Sequence, residues 1–215
     1  MSVPLREQVQ VLLAGPRPLP IVRAGHPVLR RPAQPYRDEL PAELLDELVA
    51  AMRATMHAAP GVGLAAPQIG LGLAVAVLED AGVPDGEVAR VRGRTAVPFR
   101  VIVNPRYVPV GTERVAFYEG CLSVPGWQAV TARWRSVRLT GADQGGAPLD
   151  EVLSGWPARI VQHETDHLEG RLYVDLAQMR SLAAPGELER WAGEPEPRAA
   201  ARELGFELPG DQVAG

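Results

Sequence analysis

The sequence predicts an α+β fold: one domain in which mixed and antiparallel sheets pack around a central metal-binding helix carrying a His-Glu-x-x-His pattern. Three observations lead there. Leu44, Leu45, Leu48, Met52 and Met56 recur at three- and four-residue spacing, the apolar stripe of an amphipathic helix over 41–58. A second helix, about 155–169, sets Ile160, Val161 and Leu168 beside His163 and His167. Between the two lie short apolar, β-rich runs punctuated by Gly, Pro and Asn, the pattern of strands and turns.

Taken in order, residues 5–14 predict a short helix stopped by Gly15, Pro16 and Pro18. Leu19 to Val22 reads as an extended piece, and Gly25 to Pro35 as a Pro- and Arg-rich loop in which His26 is a turn residue. The helix over 41–58 carries Glu43, Asp46 and Glu47 near its start, where acidic groups suit the helix dipole; His57 caps or packs at its end. Gly61 to Gln68 reads, taken alone, as a tight turn before a strand. It has neither the third glycine of a dinucleotide fingerprint nor the Gly-Lys-Ser/Thr of a phosphate loop. Leu73 to Leu78 is a buried strand, and Glu79 to Val97 a long surface loop with a turn at Gly82–Gly86. Phe99 to Val103 is a strand ended by Asn104-Pro105, with Tyr107 to Val110 continuing an edge.

Val115 to Val124 places Cys121 at a strand or loop edge, and Pro125-Gly126 turns the chain. Val130–Arg135 and Ser136–Thr140 read as paired strands, Gly141–Pro148 as a hairpin turn, and Leu149–Leu153 as a short strand leading into the histidine helix. Gly170 can end that helix in a left-handed turn. Arg171–Val174 is an extended exit and Ala177–Ala184 weakly helical. The expected division is a catalytic domain over 1–180 and an acidic extension over 181–215, helical near 198–205 or partly disordered.

Composition narrows the function classes. With 46% hydrophobic residues in 215, a sizeable core can form. A net charge of −4 argues against a general nucleic-acid binder, which needs a basic face. The one cysteine excludes an internal disulfide and fits a reducing compartment. The start of the chain lacks the basic and long apolar runs of a signal peptide, and no apolar run is long enough to span a membrane. A soluble cytoplasmic protein is expected.

The chemistry centres on residues 162–170. Residues four apart share a helix face, so His163 and His167 can aim at one metal ion, with Glu164 close enough to act on a water there. A third ligand is needed. No His follows His167; Glu187 and Glu189 lie in a polar tail, and Cys121 offers a thiolate that binds Zn²⁺ or Fe²⁺ well. A Cys with two His would leave the fourth position open, as catalysis requires.

Three stretches together resemble the signature motifs of the peptide deformylase family. They are Gly61-x-Gly63-Leu64-Ala65-Ala66-x-Gln68, Glu119-Gly120-Cys121-Leu122-Ser123, and Gln162-His163-Glu164-x-Asp166-His167, in the family's order and at compatible spacing. The similarity extends over roughly residues 20–180. It implies a metal-dependent hydrolase that removes the N-terminal formyl group from formyl-methionine of newly made proteins. It implies a divalent ion held by Cys121, His163 and His167, usually Fe²⁺, with Zn²⁺, Ni²⁺ or Co²⁺ as alternatives. Glu164 is then the general base, and the Gln68 amide and Leu122 backbone N–H face the developing oxyanion.

An extended formyl-methionyl peptide or nascent chain could lie between Val62-Gly63 and Gly120, whose neighbouring glycines permit close approach. Ile160 and Arg159, one turn before His163, share its face; alignment with the family's methionine pocket adds Val62, Phe117 and Trp156. Arg159 departs from the family, where that position is usually apolar; its stem can line the pocket with the guanidinium in water. Gln162 and Asp166 are expected to orient neighbouring groups, with Arg133 a partner for Asp166. Some family members are thought to dock on the ribosome through a basic C-terminal helix. Residues 185–215 carry seven acidic residues and three Arg, so any ribosome contact here is not expected by that route. This tail is expected instead to fold back on the body or to help form a dimer.

Overall fold

The computed structural model describes residues 3–82, 86–192 and 194–209. Helix α1 (Leu5–Leu13) leads through a loop containing a short 3₁₀ turn at Pro27–Arg30, where His26 Nδ1 accepts a hydrogen bond from Val28 N at 3.2 Å. Helix α2 (Ala42–Ala58) begins after Pro41 and buries Leu45, Leu48, Val49, Met52, Thr55 and Met56 along one side. The expected stripe is there, because packing on a sheet needs one apolar face. His57, at its end, reaches Glu79 at 2.8 Å.

Strand β1 (Gly63–Ala65) passes into a 3₁₀ turn at Ala66–Ile69, and β2 (Val75–Asp80) follows. Part of the expected Gly82–Gly86 turn lies outside the described residues. The loop expected over 79–97 also contains a helix, α3 (Glu87–Arg92), whose end is marked by Gly93 at φ +58°. Its six residues are too few for a periodic signal.

Strand β3 runs unbroken from Val97 to Pro109. Asn104-Pro105 does not end it; the register shifts between Val103 and Arg106, forming a bulge, and Asn104 adopts φ +49°. The Asn104 side chain compensates by accepting from Tyr36 N and donating to Tyr36 O, both at 2.8 Å.

Strands β4 (Arg114–Cys121) and β5 (Val124–Trp134) form a separate two-stranded ribbon. Its turn is Leu122-Ser123, three residues earlier than the Pro125-Gly126 expected. Strands β6 (Ser136–Ala142) and β7 (Pro148–Ser154) are a hairpin. The expected pairing of 130–135 with 136–140 is absent: β5 pairs with β4, while β6 pairs with β3 and β7. The chain changes sheets at Arg135, so adjacency in sequence misleads there.

The larger sheet has the order β1-β2-β3-β6-β7, with antiparallel ladders; a parallel bridge joins Gln34 to Leu73. Helix α2 covers one face, where Val75, Val77, Val101 and Val103 point, and helix α4 (Trp156–Leu168) covers the other, where Ala76, Leu78, Ile102 and Leu139 meet Ile160, Val161 and Leu168. β2 is thus buried on both faces, which is why it reads as a continuous apolar run. α4 ends in a Schellman motif: Gly170 at φ +78°, Arg171 N bonded to Asp166 O and Gly170 N to His167 O.

The exit at 171–174 folds partly into a 3₁₀ turn at Tyr173–Asp175 rather than extending. Residues 177–184 hold a 3₁₀ turn at Met179–Ser181, flanked by bridges from Ala177 to Thr131 and Ala183 to Gln128. Two helices follow, α5 (Pro185–Ala192) and α6 (Arg198–Leu204). Trp191, Ala200 and Ala183 pack with Tyr118 of β4, so these helices lie against the ribbon. No helix among the described residues is long and apolar enough to cross a membrane.

Met52 is fully buried between α2 and the sheet. Met52→Ala should lower the unfolding free energy by about 2–5 kcal/mol, whereas Val108→Ala, at a residue 56% exposed, should shift it by less than ~0.5 kcal/mol. Urea denaturation of the two variants checks the contrast.

Candidate metal centre

α4 brings its two histidines to one face as the four-residue spacing requires. β4 ends directly opposite, at Cys121. The ligand atoms of Cys121, His163 and His167 lie within 4.8 Å of one another, with Cys121 Sγ 3.2 Å from His167 Nε2. Glu187 and Glu189 do not join this group.

The donor set suits a divalent cation. One soft thiolate and two imidazoles favour Fe²⁺ or Zn²⁺ chemistry over the oxygen-only preference of Mg²⁺ or Ca²⁺. The surroundings agree. His163 Nδ1 faces Glu119 Oε1 at 2.6 Å, which leaves Nε2 for the cluster. Glu164 Oε2 is buried without a hydrogen-bond partner among the described residues.

Glu119 is the hub that sequence reasoning passed over. Its two oxygens accept from Arg133 Nη2 (2.6 Å) and Nε (3.2 Å), from Arg159 Nη1 (2.7 Å) and from His163 Nδ1. Arg133 also pairs with Asp166, which takes further bonds from Tyr107 and Arg171. The Arg133–Asp166 pair is the one expected. Glu119 stands in the same motif as Cys121, two positions before it, which is the signal that could have pointed to it.

Electrostatics follow from this packing. Burial alone would raise the Glu119 carboxyl, but Arg133, His163 and Arg159 around it hold its pKa well below the usual carboxylate range. Burial likewise opposes charge on His163, yet the Cys121 thiol and Glu119 carboxylate beside it hold its pKa well above the usual imidazole value. His167 is pushed well below its ordinary value, first by burial and then by His163. Burial lifts the Glu164 carboxyl to about 7.

Gln68 is oriented by its own turn. Its Oε1 accepts from Ala65 N at 2.8 Å, turning Nε2 toward Cys121 Sγ (3.6 Å) and Ser123 Oγ (3.5 Å). Gln162 is likewise fixed, exchanging bonds with the backbone of Trp134 at 3.0 and 2.9 Å.

The glycines also make room within the protein. A Cβ on Gly63 would stand 2.2 Å from Glu164 Oε1, and one on Gly61 would stand 2.8 Å from Leu122 Cδ1. A Cβ on Gly120 would meet Gln128 Cγ at 3.1 Å. The missing side chains make room for groups of the protein itself.

A cleft of about 680 Å³ opens over these residues. Val62, Gly63, Gln68, Gly120, Cys121, Leu122, Trp156, Ile160, His163 and Glu164 line it; His167 lies beneath. Phe117 does not reach its surface. That ring is buried, with the guanidinium carbons of Arg159 and Arg92 at 5.1 and 5.5 Å from its centroid. The Arg159 head group is not in water as expected. Besides Glu119, it bonds Thr131 O and Val115 O, and the residue is 4% exposed. Arg92 and Arg94, which the sequence had not singled out, also line the cleft.

Comparison with known proteins gives the family. The profile of the polypeptide deformylase family matches residues 18–182. Peptide deformylase 1 of Streptomyces coelicolor is 61% identical over 97% of this chain and 95% of its own length. Peptide deformylase 3 of Streptomyces avermitilis is 59% identical over 97% and 93%. Among solved structures, a Met-Ala-Ser-bound class I type b peptide deformylase from Acinetobacter baumannii superimposes with a TM-score of 0.66 at 36% identity, covering 74% of this chain and 97% of that one. An actinonin complex of a Synechococcus elongatus peptide deformylase gives 0.63 at 30% identity, covering 90% and 89%. With profile, full-length relatives and fold in agreement, the chain belongs to the polypeptide deformylase family.

Proposed function

We propose that this chain is a metal-dependent hydrolase that removes the formyl group from the N-terminal formyl-methionine of newly made proteins and releases formate. The observation that carries the reading is the convergence of Cys121, His163 and His167 beside the buried Glu164. Those three side chains would hold one divalent ion, Fe²⁺ by family preference, with Zn²⁺, Ni²⁺ or Co²⁺ as alternatives. What such an ion supplies is Lewis acidity, which acidifies a water and polarises a carbonyl.

The residues of the chain supply the rest. Glu164 takes the proton of the attacking water as general base. Water oxygen adds to the formyl carbon, the amide C–N bond breaks, and Glu164 returns the proton to the leaving nitrogen. Formate and a free amine result. The pinned Gln68 amide aims its N–H donors toward the reacting side of Cys121, and the Leu122 backbone N–H is the second donor by match to the family motif. One such donor is typically worth about 3 kcal/mol of barrier.

The substrate lies as an added strand between two edges. β1 is the edge of the larger sheet, and β4 is the edge of the ribbon. An extended peptide between Val62-Gly63 and Gly120 can pair with both. The Acinetobacter relative bound to Met-Ala-Ser supports a peptide in this cleft. Val62, Trp156 and Ile160 form the methionine pocket, with Phe117 behind its wall. We place the activity in the cytoplasm, which suits the lone thiol. Ribosome contact, if made, does not use a basic tail.

Anaerobic formate release is the deciding assay. Formyl-Met-Ala-Ser should be hydrolysed at least about a hundredfold faster than acetyl-Met-Ala-Ser, the cost of crowding a methyl group against donors set for a formyl. Equal rates would overturn the reading. Glu164→Gln should lower kcat by about 10²–10⁴ while metal analysis still finds one ion per chain. Cys121→Ala should lose bound metal and formate release together; retention of both would remove Cys121 as a ligand.

A further inference from the structure

Two arginines of the cleft, Arg23 and Arg92, have no carboxylate partner among the described residues; Arg23 is exposed and gives Nη1 to Leu122 O at 2.6 Å, whereas Arg92 is half-buried. Arg159 has Glu119, and Arg94 has Asp80, with Nε and Nη2 at 3.1 and 3.0 Å from Oδ2. The contacts of Arg92 are long bonds to main-chain oxygens, Nε to Pro195 O at 3.5 Å and Nη2 to Glu194 O at 3.4 Å, and the Phe117 ring. Nη1 has no protein acceptor among those residues. Burial and then the nearby Arg94 push its pKa down, as an uncompensated charge requires.

Its position is fixed from two sides. Gly93 O accepts from Trp156 N at 3.1 Å, and Gly93 and Gly155 approach so closely that a Cβ on Gly155 would meet Gly93 O at 3.0 Å. The end of α3 is therefore docked on the start of α4, beside the pocket residue Trp156. From the other side the segment joining α5 to α6 supplies the two carbonyls. The guanidinium carbon lies 5.5 Å from the centroid of the Phe117 ring, and the residue lines the cleft with donors to spare.

We propose that Arg92 is a specificity-determining residue, favouring formyl peptides whose first side chain carries a hydrogen-bond acceptor over apolar ones of similar length, and that the C-terminal extension holds it in place. This rests on the deformylase reading. A methionine thioether is a weak acceptor, a methionine sulfoxide oxygen a strong one, and norleucine offers none. A purely apolar pocket rejects a sulfoxide because its oxygen is desolvated without a partner. A guanidinium donor at the wall removes that penalty with a charge-assisted bond.

The test compares kcat/KM for formyl-Met(sulfoxide)-Ala-Ser and formyl-norleucyl-Ala-Ser on the full-length, metal-loaded protein, with formyl-Met-Ala-Ser as reference. The unsubstituted protein should process the sulfoxide at least as well as the norleucine peptide. In Arg92→Met the sulfoxide-to-norleucine ratio should fall about tenfold or more, and Arg92→Gln, which retains polarity without charge, should fall in the same direction. A ratio within twofold of the original in both variants overturns the proposal, as does a tenfold preference of the unsubstituted protein for norleucine. In either case formate release from formyl-Met-Ala-Ser leaves the deformylase reading standing. Release from none of the three peptides overturns that reading and this proposal with it.

Discussion

A single carboxylate, Glu119, ties together three elements that hydrophobic packing alone would leave loosely joined. It sits on β4, accepts from Arg133 on β5 and takes bonds from Arg159 and His163 on α4. The ribbon has two strands, and an isolated two-stranded ribbon is marginal in water. Buried charge does the joining here. Such a network contributes little net energy when complete, because desolvation offsets attraction, but losing one member leaves a charge stranded and typically costs about 3–5 kcal/mol. The network therefore specifies geometry more than it adds stability. The ionised Glu119 accepts from His163 Nδ1, so it also sets which ring nitrogen remains free to face Cys121. The position of the ribbon and the protonation pattern of the cluster are one constraint.

Close approach between β1 and α4 is the second half of the same design. Gly63 needs no positive φ; it is required because the Glu164 carboxyl rests where a side chain would begin. Backbone on one side and helix on the other keep Glu164 nearly dry, and burial lifts its pKa to about 7. Burial that disfavours the charged carboxylate suits a group proposed to take a proton and give it back.

Much of this was readable from residues alone, and the failures share a cause. α2 and α4 announced themselves because one face of each is buried and the period is 3.6. His163, His167 and Glu164 were legible because their relation is local to one helix. Cys121 entered as the lone thiolate able to complete the set, and the family motif singled it out, since nothing local marks a thiol as a ligand. What stayed hidden was non-local. Asn104-Pro105 looks like a strand end, and its continuation depends on Tyr36, far earlier in the chain, satisfying the bulge. β5 and β6 are neighbours in sequence, yet belong to different sheets. Arg159 looks like a surface residue in a pocket until Glu119 and two backbone carbonyls are placed around it.

The C-terminal extension shows why charge counts mislead about such segments. Seven acidic residues among the last 31 suggest repulsion from partners or disorder. In the structure Trp191 and Ala200 pack against Tyr118, one of the residues lining the cleft. The contact with Arg92 uses main-chain carbonyls of Glu194 and Pro195 rather than any acidic side chain. Backbone acceptors hold a guanidinium without neutralising it, whereas a carboxylate would have consumed both its charge and its donors. Had the tail met Arg92 through Glu194 Oε atoms, Arg92 would resemble Arg94, satisfied and inert toward a bound peptide. The family profile ends at residue 182, so a segment beyond it meets the half-buried guanidinium of the cleft without pairing it with a carboxylate.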